Sequence, residues 1–91
     1  MTNTEILQHA INTYGNTAQL EMAQEEATEM ALAVRKYVRN PNNRTLHDLS
    51  NEIADVEIMI EQIKIILPQI TQKIVEQKIA KIYRLKNRMK I

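Results

Sequence analysis

No cysteine, tryptophan or phenylalanine occurs in these 91 residues, and there are only three tyrosines, two prolines and one glycine. Without cysteine there is no disulfide framework, no thiolate metal site and no cysteine nucleophile. Without the larger aromatics, the core has to be aliphatic, drawn from the Ile, Leu, Val, Met and Ala that dominate a 44% hydrophobic share. No apolar run is long enough to span a bilayer; patches such as "IKIIL" (Ile63 to Leu67) fall far short. Neither sign of charge prevails at a net +1, so nothing global argues for a nucleic acid polymer or an anionic membrane as partner. The opening "MTNTEILQHA" lacks a basic patch followed by an apolar run and does not read as a signal peptide. The expectation is a single domain over residues 1–91, cytoplasmic and only marginally stable, for which oligomerisation would be a natural remedy.

Scarce punctuation makes each break informative. A first short helix is expected from about Thr4 to Thr13, with Gly15 suited to its C-terminal cap and Asn16 or Thr17 able to cap the next. The second helix reads from Ala18 to Val38, with Leu20, Ala23, Ala27, Met30, Val34 and Val38 on its apolar side. "NPNN" (Asn40 to Asn43) breaks the chain. Thr45 is then expected to cap a third helix, with Asp48 completing a capping-box pattern. That helix carries Leu46, Leu49, Ile53, Val56, Ile60, Ile63 and Leu67, the most regular three–four alternation present, and stops at Pro68. A fourth runs from about Thr71 to Met89 with Ile74, Val75, Ile79, Ile82, Leu85 and Met89. No period-two pattern competes, so the fold class is all-α, a bundle of about four helices. Ile58 and Ile65 give the third helix a second apolar stripe. It reads as a subunit contact, or as a helix buried on two sides within one chain.

Four acids stand inside these core-forming stretches. Glu26 and Glu29 are three residues apart on the second helix, and Glu52 and Asp55 on the third, so each pair shares one helix face. Both pairs flank an apolar stripe. Antiparallel packing across the short "NPNN" link would turn all four carboxylates toward one another. Such a group repels itself strongly unless protons or cations intervene. The donors are all hard anionic oxygens, which suits Mg²⁺ or Mn²⁺. A di-iron bundle would need Glu-x-x-His pairs, and neither His9 nor His47 stands at that spacing from a Glu. The plainer reading is that i, i+3 acids form a solvated face. Mg²⁺ bound by carboxylates keeps open positions for substrate phosphates, which points to metal-assisted cleavage of a phosphate ester or anhydride.

"QEEATEMALAV" followed by "NEIADVEIMIEQ" resembles the EExxE…ExxD pattern of the MazG-like all-α nucleoside triphosphate pyrophosphohydrolases, from Leu20 to Leu67 closely and the tail "KIYRLKNRM" more loosely. The resemblance implies hydrolysis of a nucleoside triphosphate between the α and β phosphates, to the monophosphate and pyrophosphate. It implies Mg²⁺ held by Glu26, Glu29, Glu52 and Asp55, with Glu25 in an outer, water-activating role. It also implies a homodimer or homotetramer in which neighbouring subunits complete each site, and a task in nucleotide-pool house-cleaning.

The tail is basic. Lys81, Arg84 and Arg88 form one stripe, whereas Lys78 falls inside the apolar arc and must snorkel or find an anion. Lys78, Lys81 and Arg84 are expected to reach the substrate phosphates. The alternative is a solvated basic face, favoured in any case near a helix C-terminus. A rival to the enzyme is a non-catalytic helical interaction module, in which the acids are solvent-facing and the extra apolar stripe binds a partner.

Overall fold

Each break in the sequence becomes a cap in the computed structural model, which describes residues 1–91. Helix α1 spans Asn3–Tyr14, α2 Asn16–Arg39, α3 Asn43–Ile66 and α4 Ile70–Met89. Together they hold 88% of the residues, with no strand, so the chain is all-α. Thr2 opens α1 with a capping box: the Glu5 amide donates to Thr2 Oγ1 at 3.1 Å and the Thr2 amide to Glu5 Oε1 at 3.3 Å. Gly15 closes α1 as expected, its amide donating to the Ile11 carbonyl at 2.8 Å. Its φ of +94° and ψ of 155° belong to a region that only glycine adopts freely.

Two expected caps lie elsewhere. Gly15 itself is the N-cap of α2, without a side-chain bond, and Asn16 and Thr17 are already helical. Asn42 rather than Thr45 caps α3. The Thr45 amide donates to Asn42 Oδ1 at 2.9 Å and the Asn42 amide to Thr45 Oγ1 at 3.1 Å, so Thr45 is the third helical residue of the box and Asp48 has no part in it. Pro41 explains the shift, because the residue before a proline is driven out of the helical region and the next capping side chain is Asn42. Pro68, which has no amide hydrogen, ends α3 as expected.

The three-residue link makes α2 and α3 an antiparallel hairpin, the principal packing contact of the molecule. Burial along α2 concentrates on Gln19, Ala23, Glu26, Met30, Ala33 and Tyr37, and along α3 on Thr45, Leu49, Glu52, Val56, Met59 and Ile63. Both strips have the alternating three–four spacing of a helix–helix seam. The seam is therefore rotated from the expected one. Met30, Leu49, Val56 and Ile63 stay inside, but Val34, Val38, Leu46, Ile53 and Ile60 are 38–62% exposed. The physical reason is that each helix carries more apolar surface than one partner can cover. Ala23 and Ala33 allow close approach along one edge of it, and the outer edge is left facing solvent.

Helix α1 lies across the hairpin and closes its end: Ile11, Gln19, Met59 and Gln62 are buried there, with Ala33 further along the seam. Helix α4 packs against none of the others along its length, and only its first turns, at Ile70 and Ile74, are even half-buried. No helix is long and apolar enough to cross a membrane.

Candidate metal centre

Antiparallel packing brings Glu26 and Glu29 of α2 level with Glu52 and Asp55 of α3. One carboxylate oxygen each from Glu26, Glu52 and Asp55 lies within 4.8 Å of the other two. All three side chains are half-buried, and Glu26 and Glu52 occupy the seam itself rather than its margins, where helical spacing had put them. Oε2 of Glu26 and Oε2 of Glu52 are shut off from solvent and receive no hydrogen bond. The ionisable groups acting on them are other carboxyls, with Asp55 beside Glu26 and Glu29 beside Glu52. Such an approach becomes a hydrogen bond only when a proton is shared.

The electrostatics follow. The carboxyl of Glu26 is held above its ordinary value by loss of hydration first, then by the charges of Glu29 and Asp55, the approach of the Asp55 carboxyl, to which only the protonated form could donate, and the charge of Glu52. Glu52 is raised in the same way, by loss of hydration, the charges of Glu29 and Asp55, the approach of the Glu29 carboxyl, and the charge of Asp48. Glu29 is exposed and flanks the triad instead of joining it. Glu25 points away from the seam, on an open surface with Glu21, Gln24 and Thr28.

The donor set fits a hard divalent cation. Oxygens on opposite sides of an Mg²⁺ ion are about 4.2 Å apart, so a spread of up to 4.8 Å closes on one ion with small side-chain shifts. The two orphaned oxygens are what such an ion would satisfy. There is no His or Cys in the group, which disfavours zinc.

A crevice of about 280 Å³ opens from Glu29 and Glu52 toward the α2–α3 turn, lined also by Lys36, Asn51 and Asp48. Lys36 and Asn51 were not singled out from the sequence. The signal for Lys36 was there: it lies seven residues, two turns, beyond Glu29 on the same face of one helix. By contrast Lys78, Lys81 and Arg84 are exposed on α4, which does not pack on the hairpin that carries the acids. Lys81 and Arg84 share a shallow surface only with Leu85 and Arg88 of the same helix.

Searches against protein-family models, curated proteins and solved structures give no match to this chain.

Proposed function

We propose that the chain is an Mg²⁺-dependent nucleotide pyrophosphohydrolase of the cytoplasm, splitting a ribo- or deoxyribonucleoside triphosphate into the monophosphate and pyrophosphate. The observation that carries the proposal is the convergence of Glu26, Glu52 and Asp55 in a helix seam, with two solvent-excluded oxygens that no donor serves. A purely structural seam would place apolar residues at 26 and 52. Three carboxylates there cost stability unless something positive is bound.

Glu26, Glu52 and Asp55 would hold the metal, with Glu29 completing the set from the exposed side. When bound, Mg²⁺ or substituting Mn²⁺ offsets charge on the phosphates and lowers the pKa of a bound water. The chain itself orients the polyphosphate. Lys36 and Asn51 donate from the crevice beside Glu52, and Lys81 and Arg84 would supply further cations from α4 of a neighbouring copy in a homo-oligomer. A free oxygen of Glu26 is the carboxylate placed to accept that water's proton, whereas Glu25, on the open face of α2, would act on it only from a distance. No covalent nucleophile is needed.

An end-point assay tests this. Purified protein is incubated with a panel of nucleoside triphosphates and Mg²⁺, Mn²⁺ or EDTA, and pyrophosphate is separated from orthophosphate, with Glu52→Gln in parallel. Metal-dependent pyrophosphate and monophosphate, lost in Glu52→Gln, is the expected result. Orthophosphate plus diphosphate would overturn the bond assignment. The amount of uncovered apolar surface favours a second reading, a non-catalytic helical interaction module. That reading expects no turnover, and no thermal stabilisation by Mg²⁺ in wild type or variant.

A further inference from the structure

A folded monomer of 10.6 kDa should expose about 5,500 Å², yet this chain exposes 7315 Å². Its radius of gyration, 16.1 Å, also exceeds the roughly 12 Å expected of a compact chain this long. The excess of roughly 1,800 Å² per chain, doubled for a pair, falls within the range buried by obligate homodimers. Much of it sits on α4, where Val75, Ile79, Ile82, Leu85 and Met89 form one apolar arc, each 44–67% exposed. A lone helix of 20 residues is marginal in water, because helices draw most of their stability from packing an amphipathic face.

The rest of the chain holds the complementary surface. Between α1 and α3 runs a groove of about 610 Å³, floored by Ile6, Leu7, Ala54 and Ile58 and rimmed by Glu57 and Glu61. Glu57 has no ion-pair partner, and Glu61 has only an exposed contact with Lys64 at 3.6 Å. Charge divides the same way. Residues 70–91 carry seven cations against one acid, while residues 1–69 carry ten acids against five cations. No cation of α4 pairs with any acid of its own chain. The link into α4 is a closed turn: Pro68 fixes its own φ, and the Ile70 amide donates to the Leu67 carbonyl at 2.9 Å.

We infer that α4 is an exchanged arm: its apolar arc seats in the α1–α3 groove of a second copy, with its cations against Glu57 and Glu61, and each copy receives the other's arm about a two-fold axis. Such reciprocal exchange closes the assembly without leaving an open face. It leaves Lys81, Arg84 and Arg88, on the flank opposite the arc, clear of the groove. The inference does not rest on the catalytic reading.

The test uses the full chain. Sedimentation equilibrium at micromolar concentration is expected to give twice the chain mass, with Ile79→Glu monomeric. Glu57→Lys with Glu61→Lys should weaken the dimer at least tenfold, and Lys78→Glu with Lys86→Glu added to it should restore it. Since the chain has no native cysteine, an Ile58→Cys, Ile79→Cys pair reports the path directly. Oxidation is expected to link two chains on a denaturing gel. A monomeric wild type, a dimer indifferent to Ile79→Glu, or an intrachain cross-link would overturn the inference. Circular dichroism confirming that the variants remain helical separates lost docking from lost folding, and phosphate release plays no part in the readout.

Discussion

At the scale of single residues, the acids at 26 and 52 set a dependence on pH whose sign follows from their environment. Both carboxyls are raised above the ordinary value of 4.5 when the chain is folded. The folded state therefore binds protons more readily than the unfolded state in the interval above 4.5. Their stabilising contribution is fully present below that value and is lost as pH rises through the raised ones. In metal-free buffer the melting temperature should therefore fall between about pH 4.5 and neutrality, and Glu26→Gln should flatten the fall. Mg²⁺ should reverse it, since ligands must shed protons to bind, and a wild-type profile unchanged by Mg²⁺ would count against a metal at this site. Lys36 provides a second measurement. If its ammonium meets a phosphate in the crevice beside Glu52, Lys36→Ala should raise KM for the triphosphate by about tenfold or more. Its thermal shift with Mg²⁺ should match that of the wild type, because Lys36 touches no metal. An unchanged KM would remove it from the site.

At the scale of elements, the caps were only partly legible. Gly15 was, because a lone glycine between two helical patterns has few other uses, and its φ of +94° makes it consequential. A Cβ added there would meet nothing within 4 Å, so the penalty for Gly15→Ala is one of backbone conformation, not space. It should cost about 1–3 kcal/mol, visible in urea melts. Asn42→Ala should cost about 1 kcal/mol through loss of the α3 cap, while Asp48→Ala, expected from sequence to break a capping box, should leave the helix start unharmed. The four helices were readable because periodicity and breakers agree, with limits within a residue or two except at the start of α3, whose Asn42 cap lies three residues before the expected Thr45. The seam was not. Helical spacing ranks apolar positions without saying which edge of a wide stripe meets the neighbour, and the favoured Val34, Val38, Leu46 and Ile53 lie outside. The pairing of Glu26 with Glu52 and Asp55 was legible for another reason. Two i, i+3 acid pairs on helices joined by three residues have few ways to avoid each other. Lys36 and Asn51 escaped notice although one stands two turns beyond Glu29 and the other next to Glu52, because only the packed hairpin forms the crevice that both line.

At the scale of the whole molecule, five buried residues in 91, none of them a fully buried large side chain, are too few to hold four helices together. If α4 is exchanged between two copies as inferred above, association supplies the missing stability, and this has a thermodynamic signature that no single-chain bundle shares. When folding is linked to dimerisation, the unfolding midpoint depends on protein concentration. Wild-type protein melted over a hundredfold range of concentration should show a midpoint that climbs steadily, and Ile79→Glu should melt lower with no such climb. Amide exchange should agree: α4 protected at high concentration and unprotected in Ile79→Glu, with the α2–α3 seam protected longest in both. A concentration-independent midpoint with α4 exchanging freely would leave the arm an unpaired helix and return the uncovered hairpin face to contention as the surface that meets a partner.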